Sequence, residues 1–240
     1  MRAPLPIISF ALFALPIAAL AQSPADLDQK GVEEVKAGNM DAAIADFDQA
    51  ISIDPGDANL YLHRGLARMF SQDYDAALDD FEKAIAADPT FARAYAYRGA
   101  VRGIKGNSRG AMEDYKRAIQ LEPNDPAAYT NRGYLELIHS NYPAAVADLD
   151  QAIALDPGFV DAFINRAHLR NRQRDWDGEI ADLTRAIALQ PDNSSLYMLR
   201  GQAKFNQDDY TGASADYRKA GALGKARGNR AQADPTGPGR

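Results

Sequence analysis

One cation and one anion recur in step along this chain. Lys30, Arg64, Arg98, Arg132, Arg166 and Arg200 stand 34 residues apart, and Asp46, Asp80, Asp114, Asp148, Asp182 and Asp216 follow, each 16 residues behind its cation. A row of arginines suits a carboxylate or phosphate ligand, because the guanidinium fork matches those anions. An aspartate that recurs with every arginine neutralises it instead, so the two ladders predict a part-buried seam of Arg–Asp pairs between neighbouring helices. Arg68, Arg102, Glu136 and Arg170, one turn further on, are expected to extend that network.

No other residue set forms a catalytic constellation. His63, His139 and His168 are the only histidines, and none sits in a metal-binding spacing such as HExxH. The absence of cysteine removes thiolate ligands, thiol nucleophiles and disulfides. The phosphate-binding pattern GxxxxGK[ST] does not occur. Paired carboxylates such as Asp79–Asp80 and Asp208–Asp209 fall on a polar helical stretch or a turn, where solvated charge is the ordinary outcome. A formal charge of −6 lacks the basic footprint of a nucleic-acid binder. The expectation is a protein with no catalytic residue, no cofactor, no metal and no nucleic acid, whose partner is a protein or peptide.

The elements that carry these residues repeat with them. Pro55, Pro89, Pro123, Pro157 and Pro191 recur at the same 34-residue step, each after Asp, Glu or Gln, and the residue before a proline is driven out of the helical region, so a helix ends there. Small residues recur in pairs, Gly31 with Ala43, Gly65 with Ala77, Gly99 with Ala111, Gly133 with Ala145 and Gly201 with Ala213, which lets two antiparallel helices approach closely. Tyr61, Tyr95, Tyr129, Phe163 and Tyr197 on the first helix, and Phe47, Phe81, Tyr115, Leu149, Leu183 and Tyr217 on the second, fill the space beside that contact. Asn39, Asp73, Asn107, Asn141, Asp175 and Asp209 lie between the helices, where short polar side chains suit a turn and a helix cap. Six helix-turn-helix units follow, at 24–57, 58–91, 92–125, 126–159, 160–193 and 194–227. One helix pair cannot bury its apolar face, but stacked pairs share a continuous core.

Segments such as YTNRGYLELIHSNYPAAVADLDQAIALDP resemble the tetratricopeptide repeat family in their small-residue, aromatic and proline pattern, over residues 24 to 227. The resemblance implies an all-α, right-handed superhelical solenoid whose concave face is lined by the first helix of each unit and receives a peptide or partner helix. The positions it carries over include Leu62, His63, Leu66, Tyr97, Asn131, Tyr134, Ile138, Asn165 and His168, an apolar and aromatic surface with amides interleaved. The family's carboxylate clamp is incomplete here, because its lysine places hold Asp28, Leu62 and Arg93. The expected role is that of a protein-binding scaffold or adaptor. The alternative is a self-assembling module of an envelope, secretion or pilus complex, associating weakly through the last repeat, whose final helix near Thr211 to Ala220 would expose Tyr217.

Unit five breaks the pattern. It carries Glu179 where the other units carry alanine, and Arg166, Arg170, Arg172 and Arg174 on or just after its first helix. A carboxylate at a close helix contact is costly unless paired. It either reaches an arginine of its own unit or loosens the contact into a hinge or ligand site.

The ends differ from the repeat. Residues 1–21 place Arg2 ahead of an apolar run that closes on Ala19-Leu20-Ala21, the layout of a secretory signal cut before Gln22. The mature chain is then expected in the periplasm or outside the cell, with no transmembrane segment. Residues 228–240, basic and rich in Gly and Pro, read as a disordered tail.

Overall fold

A computed structural model describes residues 22–233, so the expected signal segment 1–21 lies outside the described residues, as do residues 234–240. Among the described residues the secondary structure is helical throughout, in six antiparallel pairs: α1 (Pro24–Ala37) with α2 (Met40–Ile53), α3 (Ala58–Phe70) with α4 (Tyr74–Ala87), α5 (Ala92–Ile104) with α6 (Ser108–Leu121), α7 (Pro126–Ile138) with α8 (Tyr142–Leu155), α9 (Val160–Gln173) with α10 (Trp176–Leu189), and α11 (Ser194–Asn206) with α12 (Tyr210–Ala233). The fold is an all-α repeat solenoid.

Local chemistry starts and stops these helices. Ser23 and Asp26 form a reciprocal capping box ahead of α1. Asp57, Asp125 and Asn193 cap α3, α7 and α11 by accepting from backbone N–H groups two residues on. In the turn inside each unit one residue takes the left-handed conformation, at Gly38, Gln72, Gly106, Ser140, Arg174 and Asp208, again 34 residues apart. That residue reverses the chain, and the polar residue after it opens the next helix. Asp73, Asn107, Asp175 and Asp209 do so by accepting from the backbone. Asn39 and Asn141 instead donate their amides back to Glu34 and Glu136.

Packing follows the small-residue pairs. A Cβ added at Gly65 would sit 2.7 Å from the Phe81 ring, so only glycine lets α3 and α4 close to that distance. Unit five carries Ala167 there, opposite Leu183, where no aromatic ring competes for the space, and both are fully buried. Between units, the first helix of each pair inserts an apolar residue against the small and bulky residues of the preceding second helix. Ala67 meets Ala43 and Phe47, Val101 meets Ala77 and Phe81, Leu135 meets Ala111 and Tyr115, and Leu169 meets Ala145 and Leu149. From α1 to α9, consecutive first helices also approach one another, whereas consecutive second helices do not, so the first helices line the inner, concave wall.

Polar bonds tie most neighbouring units. Arg64 reaches Asp48 and His63 reaches Asp28 between units one and two; Arg102 reaches Glu82 between two and three; Arg166 reaches Asp150 between four and five; Arg200 reaches Thr184 between five and six. Among the described residues, apart from Asp125 capping α7, no side-chain hydrogen bond or ion pair crosses from unit three to unit four. Lys116 occupies there the place that Asp48 and Asp150 hold in their units.

The C-terminal expectation is corrected. The last helix is not confined to the neighbourhood of Thr211 to Ala220 but runs to Ala233, so residues 228–233 are helical rather than disordered. Arg230, Ala231, Gln232 and Ala233 in that stretch are good helix formers, and the first proline after Tyr210 comes only at Pro235. Among the described residues no helix is long and apolar enough to cross a membrane.

Candidate functional site

The repeated charges are engaged with one another. Arg64, Arg98, Arg132, Arg166 and Arg200 each grip the aspartate 16 residues on, Asp80, Asp114, Asp148, Asp182 and Asp216, through Nε and Nη2 at 2.6 to 3.1 Å. A second cation joins four of these carboxylates: Arg68 on Asp80, Arg102 on Asp114, Arg170 on Asp182 and Lys204 on Asp216. Glu136, expected to extend the network, accepts from the Asn141 amide instead. All five aspartates are buried, which corrects the expectation of solvated charge for the Asp79–Asp80 pair: Asp80 turns inward to Arg64 and Arg68. Each guanidinium also lies 5.5 to 5.8 Å from the ring three residues earlier, from Tyr61 to Tyr197, adding a cation–π contact. Hydrogen bonds to Asp148, Asp182 and Asp216 hold the Arg132, Arg166 and Arg200 guanidiniums above their ordinary range. Burial pushes the Asp216 carboxyl up, but Arg200 and Lys204 more than offset it and hold it below the usual carboxylate range. The first unit is the weaker version: Lys30 makes one bond to Asp46, whose Oδ2 is buried with no partner.

With these charges satisfied, the concave wall presents a different chemistry. Phe70, Ile104 and Ile138, at one equivalent position in three consecutive units, are 57%, 58% and 53% exposed. Tyr134 is also exposed, and Asn131 and Asn165 are half-buried with side chains that make no hydrogen bond among the described residues. Leu66 and Tyr97 are half-buried against the second unit's core, with Tyr97 stacked on Phe81. Leu62 is corrected: it is fully buried in that same core and offers nothing to a partner. His63 is held by Asp28, Nδ1 to Oδ1 at 2.7 Å, and is half-buried.

Two depressions indent this wall. One of about 660 Å³ lies where unit three meets unit four, with Arg93, Tyr97 and Asn131 facing the loop Glu122–Pro126. The other, about 440 Å³, gathers Tyr134, Ile138, His168, Asn171 and Arg172 around the turn residue Ser140 and Tyr142 at the start of α8. Burial and the nearby Arg172 lower the His168 pKa, so its imidazole is neutral around pH 7. Asn171 was not singled out from sequence. Its amide donates to both oxygens of Glu179 at 3.1 and 3.0 Å. This corrects the expected partner of Glu179: not an arginine but an asparagine, because Arg166 and Arg170 are taken by Asp182 and Arg170 also donates to the Gly178 carbonyl. Burial pushes the Glu179 carboxyl up, only partly offset by Asn171. Among the described residues no three His, Asp or Glu side chains converge as a metal site.

A curved stack of helix pairs, with satisfied charges inside each layer and an apolar, amide-bearing inner wall, defines a repeat scaffold with one concave face. Models of the TPR repeat match residues 31–69 and 104–137, and models of the tetratricopeptide repeat match 58–91 and 164–238. The chain belongs to the tetratricopeptide repeat family. No curated protein matches it. Among solved structures it is similar to a chain of the APC/C hetero-tetramer Cut9–Hcn1, at 14% identity and a TM-score of 0.76, covering 84% of this chain and 40% of that one. It is likewise similar to PilW, described as a widely conserved type IV pilus biogenesis factor, at 17% identity and 0.73, covering 80% and 90%. YrrB, described as a TPR protein with an unusual peptide-binding site, matches at 24% identity and 0.55, covering 76% and 92%. The chain thus spans less than half the length of the Cut9–Hcn1 chain it matches.

Proposed function

We propose that this chain is a non-enzymatic scaffold of the periplasm or cell envelope, which holds a peptide or a partner helix in its concave groove. The observation that carries the reading is the contrast within one wall. The arginines that could have recognised an anion are engaged by buried aspartates, while Phe70, Ile104 and Ile138 remain exposed in register, with Tyr134 exposed one turn before Ile138, beside the amides of Asn131 and Asn165, which make no hydrogen bond among the described residues. Apolar anchors at one repeated height accept side chains of a bound segment, and amides between them accept and donate to its backbone. The location rests on residues 1–21, whose pattern is that of a cleaved secretory signal. PilW is a pilus biogenesis factor and YrrB has a peptide-binding site, and both are compatible with a scaffold of this shape.

The test is photo-crosslinking in intact cells from a benzoylphenylalanine at Tyr134, with the same probe at Lys83 on the outer helix α4 as control. The reading expects one discrete adduct from Tyr134 that the Ile104→Asp variant abolishes. Adducts from Lys83 and none from Tyr134 would place the binding surface on the convex side and overturn the groove. Fractionation and N-terminal sequencing test the location, with a first residue of Gln22 expected in the periplasm.

A further inference from the structure

The surface that every unit covers in the one before it is left open on unit six. In units one to four a residue of the next first helix, Ala67, Val101, Leu135 or Leu169, seals the small and bulky pair on the second helix. The equivalent pair here is Ala213, itself buried, and Tyr217, half-buried, and no further first helix follows among the described residues to cover the ground beside them. Beside it Phe205 and Tyr210 are 50% and 57% exposed, whereas Tyr74, Tyr142 and Trp176, equivalent to Tyr210, are half-buried under their neighbours. The two rings stack edge to face at 5.3 Å, next to a depression of about 440 Å³ that Ser214 and Arg218 complete.

We propose that this face binds a second copy of the same chain, tail to tail, through antiparallel packing of the two α12 helices. A helix is what fills the equivalent surface in the earlier units, and among the described residues the outermost helices of a second copy are α1 and α12. The outer side of α1 is unsuited: where covering helices carry Leu60 with Ala67 or Leu196 with Ala203, all buried, α1 carries Asp26 and Glu33, both exposed. Stacking head to tail would bury those carboxylates against Phe205 and Tyr210 without a partner, which is costly. The exposed side of α12 is self-complementary. Tyr210, Ser214 and Tyr217 fall on one stripe at i, i+4 and i+7. Crossing two such stripes antiparallel at Ser214 places Arg218 of each copy opposite Tyr210 of the other. The Tyr210 hydroxyl donates to Asp208, so each Arg218 meets both an aromatic face and a carboxylate. The small side chain at Ser214 lets the helix axes approach to about 8–10 Å, and each Cα stands about 2.3 Å off its axis toward the other. The contact is two-fold and closes on itself, so it yields a dimer and no filament.

The experiment uses two readouts on the purified protein. Sedimentation velocity should show a concentration-dependent dimer, and Tyr210→Asp and Arg218→Asp should each raise its Kd about tenfold or more with helicity and Tm unchanged. The chain has no cysteine, so Ser214→Cys reports the crossing point directly. It should oxidise to a covalent dimer, because two Cα atoms at the crossing fall near the ~4.4–6.8 Å a disulfide needs, and Asp177→Cys should not. A protein that stays monomeric to about 1 mM overturns the proposal, as does a dimer indifferent to Tyr210→Asp or a foreign helix seated on Phe205 in a monomer. None of these substitutions touches the concave wall, so the Tyr134 crosslink tests the groove independently.

Discussion

Replacing Asp80 with alanine should be the most damaging single change in the ladder. Its carboxylate is fully buried and accepts from Arg64 at 3.0 and 2.6 Å and from Arg68 at 2.7 Å. Removing one partner of a buried ion pair costs about 3–5 kcal/mol, because the remaining charge is stranded rather than because the pair itself is worth that much. Two features place this case at the lower end. Arg64 keeps its bond to Asp48, and Arg68, 22% exposed, can turn to water. The expected loss is about 3 kcal/mol, or a fall in Tm of roughly 6–12 °C for a chain of this size. Asp80→Asn, which keeps an acceptor but no charge, should lose about half as much. Asp48→Ala, on the exposed end of the same arginine, should lose under about 1 kcal/mol. Chemical denaturation followed by circular dichroism gives the global figure. Hydrogen exchange gives the local one, and protection should fall first in α3 and α4. A loss for Asp80→Ala no larger than for Asp48→Ala would refute the view that burial makes this ladder structural.

Glu179→Ala restores the residue that five units carry, removes a carboxylate that no cation faces and leaves Asn171 open to the groove. Thermal melting at pH 7 should show a gain of about 1 kcal/mol, and a loss would mean that the Asn171 bond outweighs burial. His168 and Glu179 should also pull the pH profile in opposite directions. The depressed His168 pKa means the unfolded chain binds more protons, so its contribution is present above about pH 6.5 and is lost on acidification through that value. The raised Glu179 pKa means the folded chain binds more protons, so stability is regained as pH falls through that raised value. Melts from pH 4 to 8 of His168→Gln and Glu179→Gln should each flatten one of these slopes, and a profile unchanged by either would contradict the assignment. Arg174, exposed and at φ 59°, occupies the turn position that Gly38 and Gly106 fill elsewhere. Relief of left-handed strain, about 1–2 kcal/mol, less the entropic cost of glycine, about 0.5–1 kcal/mol, gives a gain of roughly 0.5 kcal/mol for Arg174→Gly, read as a rise in denaturation midpoint; a fall would show that Arg174 makes a contact worth more than its strain.

The repeat was legible because its signals are short-range. A proline ends a helix and a glycine lets an aromatic ring close in, whatever lies further off, so unit starts from Pro24 to Ser194 could be read directly from the spacing. The ladder was legible because charge and interval repeat together. Leu62 was not, since it and His63 are one residue, about 100° of helix, apart, and the fit between successive helices decides which of them turns inward. The partner of Glu179 escaped for a related reason: four arginines stood near it in sequence, but two were already committed to Asp182, and only the folded geometry shows that Asn171, between Arg170 and Arg172, is the residue that reaches it. At the C-terminus, glycines and basic residues suggested disorder, while the steady supply of helix formers up to Pro235 extended α12 instead.

The bare interface between units three and four gives the molecule a mechanical midpoint. At the four other junctions, polar bonds must break together with apolar contacts, so loosening one unit disturbs its neighbour. At this one, separation exposes the apolar contacts of Ala111, Tyr115 and Leu135 but breaks no side-chain bond among the described residues beyond the local Asp125 cap on α7, and the depression beside Tyr97 already opens the seam. Each side retains three units, about the least that sustains a stacked core. Under pulling force or mild denaturant the chain should therefore part into halves of nearly equal length before either half unravels, and a partner lying along the groove across Tyr97 and Asn131 would splice those halves into one rigid rod.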